Sequence, residues 1–173
     1  MIIGLSGYAG SGKNTVADML VRYEQRSFAQ PMRKAMYTLN PIIIRNGGVS
    51  ISDLQTVVDA CGWDEAKQFY PEVRRLLQVY GTEVGRTMYG TDFWVNIATK
   101  DMYHDANVVF TDVRFPNEAQ KIVALGGEIW RISRPGVKAH NEHLSEHSMD
   151  GWEFDRIINN TGTLEDLKKE VGV

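Results

Sequence analysis

The stretch Gly7–Lys13 (G-Y-A-G-S-G-K) has the glycine and lysine spacing of a phosphate-binding loop. Glycines let successive backbone N–H groups turn toward one concave point without interference from a Cβ atom. Lys13 adds a mobile positive charge for the β- and γ-phosphates. The largely apolar run Met1–Ser6 predicts a buried strand before the loop, and residues 12–22 predict a helix after it. This context favours a nucleotide-binding site over a purely structural bend.

The residue after the lysine of such loops is usually Ser or Thr, whose hydroxyl binds Mg²⁺. Here it is Asn14, which offers only an amide oxygen. We therefore expect the metal to be held through water or by another residue. We expect the phosphates of a nucleotide to contact the loop and the start of the next helix, at Gly7, Ala9, Gly10, Ser11, Gly12, Lys13, Asn14 and Thr15.

Two later predicted strands also end in polar residues suited to phosphate chemistry. The apolar run Val108–Phe110 leads to Asp112, whose position suits a carboxylate that holds Mg²⁺ or its water. The alternative is that Asp112 only caps the next helix. Arg131 and Arg134 lie on and after the predicted strand Glu128–Ser133 and are candidates to neutralise charge during phosphoryl transfer. Their alternative is a solvated surface role.

The chain between the predicted strands Glu24–Phe28 and Val108–Phe110 is mainly helical. Strands separated by helices predict an α/β fold with a central parallel sheet, and ligands at the carboxyl ends of its strands. The predicted features are a strand at Glu24–Phe28, a helix at Gln30–Thr38, a turn at Asn46–Gly48, a helix capped by Ser52 and Gln55 and ended by Gly62, helices beginning at Pro71, Thr91 or Asp92, and Pro116, a strand at Arg156–Asn159 and a helix capped by Thr163.

The segment His143–His147 matches H-x-x-E-H, a zinc-peptidase motif. That function requires a helix and a third ligand, yet no His or Cys follows His147. We instead expect a flexible loop that closes over bound phosphates, with mostly solvated histidines.

Composition limits the class of protein. The chain has 173 residues, of which 43% are hydrophobic and 24% charged, as expected for one globular domain with a sizeable core. A net charge of −3 gives no general attraction to nucleic acid or to acidic membranes. The one cysteine, Cys61, excludes a disulfide framework and fits a reducing cytoplasm. No apolar run approaches the length of a membrane-spanning helix.

Several segments resemble the phage-type deoxynucleoside monophosphate kinases, a group of P-loop nucleoside monophosphate kinases. They occur in the expected order along nearly the whole chain, and the stretches D-V-R-F-P-N-E and G-T-E-V-G-R are more discriminating than the loop alone. The segments are Gly7–Thr15, Phe28–Ala35, Tyr80–Arg86, Asp92–Trp94, Asp112–Glu118 and His143–Glu146.

The resemblance implies a single P-loop NTPase domain over residues 1–173. Its core would comprise residues 1–29 and 105–173, with a helical acceptor-binding region at about 30–104 and a short lid at about 134–150. The implied reaction transfers the γ-phosphoryl group of ATP, with Mg²⁺ as cofactor, to a deoxynucleoside 5′-monophosphate. The implied location is the cytoplasm, or the host cytoplasm if the protein is encoded by a phage. The resemblance implies no nucleic-acid or membrane partner, and it is compatible with a homodimer.

The same resemblance gives roles to particular residues. Arg33, Arg86, Trp94 and Arg114 would contact the acceptor, and Lys13, Arg86, Asp112, Arg131 and Arg134 would form the catalytic set. The chemistry agrees, since Arg binds phosphate bidentately and an aromatic ring stacks on a nucleobase. Trp94, Phe93 or Tyr80 could supply that ring, and the alternative is that these aromatics belong to the core.

Two other functions remain open from the sequence. Another P-loop kinase, acting on dephospho-coenzyme A or phosphomevalonate, would share the loop and the strand-end aspartate. A nucleotide-dependent switch would share the loop only. The absence of an Asn-Lys-x-Asp segment disfavours a GTPase switch.

Overall fold

The computed structural model describes residues 1–44, 51–102, 107–138 and 147–173. These residues form two compact units, one made of Met1–Phe28 and Ala98–Val173 and the other of Ala29–Ile97. The predicted turn at Asn46–Gly48 lies outside the described residues, as do His143–Glu146 and most of the predicted lid. Among the described residues, none of the helices is both long enough and apolar enough to cross a membrane.

The first unit is built on a five-stranded parallel sheet, which confirms the predicted fold class. Its strands lie in the order β2-β5-β1-β6-β7, so the chain fills one side of β1 before it fills the other. In such a sheet, the ligand crevice lies at the carboxyl end where the order reverses, here at β1. The strands are β1 (Ile2–Ser6), β2 (Glu24–Arg26), β5 (Val108–Phe110), β6 (Glu128–Ser133) and β7 (Arg156–Asn159).

Helices cover both faces of this sheet. On one face, α1 (Lys13–Met19) and α7 (Leu164–Val171) bury Val16 and Leu167 against the strands. On the other face lies α6 (Pro116–Ala124), and Gly4 of β1 leaves room there for Ile122. All five residues of β1 are consequently buried, as the apolar sequence predicts.

The second unit has its own core and six elements of regular structure before α5. The elements are α2 (Gln30–Leu39), the antiparallel hairpin of β3 (Ile42–Ile44) and β4 (Ile51–Asp53), α3 (Leu54–Phe69), α4 (Pro71–Val79) and a π-helix (Tyr80–Met88), with α5 (Phe93–Thr99) following them. Its core includes Met36, Ile43, Leu54, Val73 and Leu77.

Two predictions about α3 are wrong. Ser52 does not cap this helix, because it pairs with Ile43 in the hairpin and Asp53 instead accepts a hydrogen bond from Thr56 N at 2.9 Å. Gly62 interrupts the helix with a φ of 73° but does not end it. The helical residues that follow include Ala66, which is fully buried in the core of this unit.

Candidate active site

The glycine-rich loop follows β1 directly, at the carboxyl edge of the sheet. Gly7 has a φ of 146°, and a Cβ there would lie 2.5 Å from the carbonyl oxygen of Ile132 in the neighbouring strand β6. Gly12 has a φ of 104° and precedes α1. Both residues have a positive φ, which favours glycine. At Gly7 the nearby carbonyl oxygen also leaves no room for a side chain. The loop has the backbone that its sequence predicts.

Lys13 lies folded across its own loop. Its Nζ donates hydrogen bonds to the carbonyl oxygens of Gly7, at 2.7 Å, and Tyr8, at 2.9 Å. The half-buried side chain thus holds an ammonium group beside the loop backbone, on a stem long enough to reach a phosphate bound there.

The other loop residues differ in exposure. Ala9, Gly10 and Asn14 are exposed, and Thr15 is half-buried in the first turn of α1. Ser11 is 1% exposed, and within the described residues its Oγ is a buried side-chain oxygen with no hydrogen-bond partner. Buried polar atoms of this kind are rare and call for a partner.

Asp112 joins the end of β5 to the segment after β2. Its Oδ2 accepts a hydrogen bond from Ser27 Oγ at 2.6 Å, and its Oδ1 accepts one from Phe28 N at 2.8 Å. The next residue, Val113, donates its N–H to Leu5 O of β1 at 3.1 Å, which brings this segment beside the strand that leads into the loop. Asp112 therefore has a structural role here, and its predicted role toward Mg²⁺ stays a prediction.

Glu118 fixes the backbone of the segment that carries Arg114, a role that the sequence analysis did not predict. Glu118 is 4% exposed, and its Oε2 accepts hydrogen bonds from the backbone N–H groups of Arg114, at 2.7 Å, and Phe115, at 3.1 Å. Pro116 at the start of α6 and an acid two residues later are the local signals for this cap. A predicted contact between Arg114 and the acceptor stays a prediction.

Arg131 belongs to a cluster that connects the loop to residues 147–154. Its guanidinium carbon lies 4.7 Å from the centre of the Tyr8 ring and 5.4 Å from that of Phe154, and its Nη2 lies 3.3 Å from Asp150 Oδ1. The same Oδ1 accepts a hydrogen bond from Tyr8 Oη at 3.0 Å, and Oδ2 lies 3.1 Å from His147 Nδ1. Arg131 is therefore held between two aromatic rings beside a loop residue and is not a free surface cation.

Burial, hydrogen bonds and charges in this cluster shift two pKa values in opposite directions. Burial, and then the hydrogen bond to Asp150, raises the pKa of the Tyr8 hydroxyl. Burial alone would raise the pKa of Asp150, but hydrogen bonds from His147 and Tyr8 and the charge of Arg131 outweigh it, so that this pKa is lowered. At neutral pH the pair is thus a phenol that donates to a carboxylate.

Arg134 lies beyond the end of β6 and is exposed, in a turn where its carbonyl oxygen accepts a hydrogen bond from Val137 N at 3.2 Å. This exposure agrees equally with a surface role and with contact to a ligand. The predicted lid at about 134–150 is described only at its two ends, residues 134–138 and 147–150.

The remaining predicted acceptor residues belong to the second unit. Arg33 is half-buried on α2, and Arg86 is half-buried on the π-helix, where its Nη1 donates to Thr91 O at 3.4 Å. Trp94 is 6% exposed, packs against Tyr80 and Phe93, and donates its indole N–H to Gly81 O at 2.9 Å. Trp94 is thus a core residue of this unit, and its burial disfavours the predicted stacking of its ring on a base.

A glycine of the π-helix, Gly85, packs against this ring. A Cβ at Gly85 would overlap the Trp94 indole, so the close approach of helix and ring needs the missing side chain. Arg86 follows directly, and the Gly85–Trp94 contact therefore helps to set where the guanidinium stem begins.

A phosphate-binding loop at the switch point of a parallel sheet defines the broad class of P-loop proteins. Comparison with known proteins narrows this class. Residues 48–171 match the family model described as Deoxynucleotide monophosphate kinase. A protein of Acanthamoeba polyphaga mimivirus, provisionally named a deoxynucleotide monophosphate kinase, is 31% identical over 194 residues, which cover 99% of this chain and 94% of that protein. The chain belongs to the deoxynucleotide monophosphate kinase family and is a nucleotide kinase.

Phage proteins show the same relationship at lower coverage. The deoxynucleotide monophosphate kinase of Enterobacteria phage T4 is 28% identical, over 57% of this chain and 43% of the T4 protein. The deoxynucleoside-5′-monophosphate kinase of Escherichia phage T5 is 26% identical, over 69% of this chain and 70% of the T5 protein. The crystal structure of TT1252 from Thermus thermophilus aligns with a TM-score of 0.39 and 19% identity, over 99% of this chain and 94% of that one.

Replacing Asp150 with Asn should lower the pKa of Tyr8, because a neutral amide is a weaker acceptor and no longer repels a phenolate. The pKa of Tyr8 is measured from the tyrosinate absorbance as pH rises, as the difference between each protein and its Tyr8→Phe counterpart. Glu153→Gln removes an exposed carboxylate from the same segment and should leave the titration unchanged. An identical Tyr8 titration in Asp150→Asn and the wild type would show that the hydrogen bond is absent in solution.

Proposed function

We propose that the protein transfers the γ-phosphoryl group of MgATP to a deoxynucleoside 5′-monophosphate, giving the corresponding diphosphate. The observation that carries this proposal is the position of Lys13, whose ammonium group bonds two carbonyls of the glycine-rich loop. The family supplies the class of acceptor, since its members are named for deoxynucleotide monophosphates. A homodimer and a cytoplasmic location remain predictions.

The donor's phosphates would occupy the loop. Lys13 would exchange its two carbonyl partners for phosphate oxygens, which are stronger acceptors because they carry full charge. The buried Ser11 hydroxyl lies in the same loop and has no hydrogen-bond partner among the described residues. A bound phosphate would give it one. The loop amides would supply further donors through the conformation that Gly7 and Gly12 allow.

Mg²⁺ suits the residues beside this loop. Magnesium commonly binds through one or two carboxylates, several waters and the substrate's phosphates, so it does not need a cluster of protein ligands. Asp112 would supply such a carboxylate at the end of β5, where its oxygens also accept hydrogen bonds from Ser27 and Phe28. Asn14, exposed in the first turn of α1, would contribute its amide oxygen, directly or through water. When bound, the ion would neutralise charge on the β- and γ-phosphates.

The transfer itself needs positioning more than covalent chemistry. An anionic oxygen of the acceptor's 5′-phosphate would form a bond to the γ-phosphorus while the bond to the β,γ-bridging oxygen breaks, and ADP would leave. Because the attacking oxygen is already ionised, no protein base is required. Arg131, fixed between the Tyr8 and Phe154 rings, and the exposed Arg134 would stabilise the charge on the transferring group.

Two arginines of the second unit would bind the phosphate of the acceptor, while a contact between Arg114 and the acceptor stays a prediction. Arg33 and Arg86 are both half-buried on helices, which limits their rotamers and favours bidentate binding of a phosphate. Phe93, which is less buried than Trp94, is the better placed of the two to offer a ring face to the base.

Lys13→Ala should reduce phosphoryl transfer by roughly 10²- to 10³-fold, the range found when one charge-stabilising donor is removed from an active site. The assay is the formation of deoxynucleoside diphosphate from MgATP and each of the deoxynucleoside and ribonucleoside monophosphates. Lys169→Ala removes a lysine of α7 whose side chain is 80% exposed, and it should retain full activity. Near-normal transfer by Lys13→Ala would refute the assignment of the loop.

Arg86→Lys should raise the acceptor KM by roughly tenfold and leave the ATP KM nearly unchanged, because lysine keeps the charge but loses bidentate geometry. Arg75→Lys is the matched control, since Arg75 pairs with Glu72 on the surface of α4. An acceptor KM equal to that of the Arg75 variant would remove Arg86 from the acceptor site.

A further inference from the structure

Asn160 lies outside the glycine-rich loop, and its side chain forms a hydrogen bond with the loop backbone. It follows β7, and its backbone N–H donates to Ser133 O at the end of β6, at 2.7 Å. Its side-chain Nδ2 donates to Ser11 O at 2.9 Å. The amide orientation is determined by chemistry, since a carbonyl oxygen can only accept. Asn160 therefore connects the ends of two strands to the loop.

This bond controls the direction of a loop amide. In a planar trans peptide, the C=O and N–H groups point in opposite directions. Because Ser11 O points toward Asn160, the N–H of Gly12 in the same peptide unit points away from it. Gly12, which follows this peptide unit, has a left-handed conformation with φ 104° and ψ 17°.

The approach of Asn160 is also close enough to limit the residue at position 12. A Cβ on Gly12 would lie 2.5 Å from Asn160 Nδ2, well inside van der Waals contact. The positive φ of Gly12 favours glycine, and any larger residue would also have to displace the Asn160 side chain. Asn160 and Gly12 act as one unit of the loop although 148 positions separate them in the sequence.

We propose that Asn160 is a positioning residue for phosphoryl transfer: by holding Ser11 O, it keeps the Gly12 N–H directed toward the triphosphate of the donor. This inference rests on the proposed use of ATP at the loop. Asn160 acts on the loop backbone and does not read the base. Its removal therefore affects the donor and leaves use of the acceptor unchanged.

The test compares Asn160→Ala with Asn159→Ala, which removes the same side chain from the exposed neighbouring position. For Asn160→Ala we expect the ATP KM and the dissociation constant of MgATP to rise roughly tenfold, the effect of losing about one hydrogen bond from the binding arrangement. The acceptor KM should stay within about twofold of the wild type, as expected for a residue that acts on the donor alone. The melting temperature should match that of Asn159→Ala, which separates positioning from a general loss of stability.

Inorganic tripolyphosphate with Mg²⁺ locates the effect, because it has the phosphates of ATP and no base. Its affinity should fall in Asn160→Ala by the same factor as that of ATP. A loss confined to ATP would show that Asn160 contacts the base, and affinities equal to those of Asn159→Ala would show that it does not position the loop. Either result overturns the inference, while a wild type that binds neither probe would overturn the proposed donor.

Discussion

The structure depends on a backbone loop that is held in a conformation which most residues cannot adopt. Gly7 approaches the carbonyl oxygen of Ile132 too closely for any Cβ, and Gly12 combines a positive φ with the adjacent amide of Asn160. The neighbours on β6 and after β7 thus limit the loop at both ends. These contacts anchor the loop backbone to the sheet, which reduces the entropy cost of ordering it when a ligand binds.

The strand that leads into this loop, β1, lies in the middle of the sheet. Its five residues are buried between β5 and β6, so the strand cannot shift its register without exposing apolar side chains. Asp112 follows β5 and Arg131 lies on β6, so the two strands that flank β1 bring an anion and a cation to the same edge. The aromatic rings of Tyr8 and Phe154 then restrict the arginine, which lowers the entropy that it would lose on meeting a phosphate.

Local signals predict a large part of this fold. The bounds of β6 and β7 and the Thr163 cap of α7 agree with the sequence predictions, because alternation, Gly-Gly breaks and capping residues act over a few positions. The antiparallel pair of β3 and β4 was not predicted, because strand pairing depends on contacts between residues that are not neighbours in the sequence. The π-helix was missed because the same apolar spacing also fits an α-helix.

Local sequence predicts those parts of the candidate site that are continuous in the chain, but it does not predict contacts between distant segments. The loop and Asp112 carry motifs, but Asn160 meets Ser11 across 149 positions and Asp150 meets Tyr8 across 142. No periodicity reports such a contact. Trp94 is buried and its indole N–H is hydrogen-bonded, which its position in a family motif does not predict, and its contact with the acceptor stays a prediction.

The most direct test is an amide NMR titration of the wild type with the Mg²⁺ complex of a non-hydrolysable ATP analogue. If the glycine-rich loop binds the triphosphate, the largest saturable shift changes will occur at the backbone N–H groups of Gly10, Gly12, Lys13 and Asn14. Saturation with these four amides unchanged would show that the nucleotide binds elsewhere and that the loop is not its phosphate site.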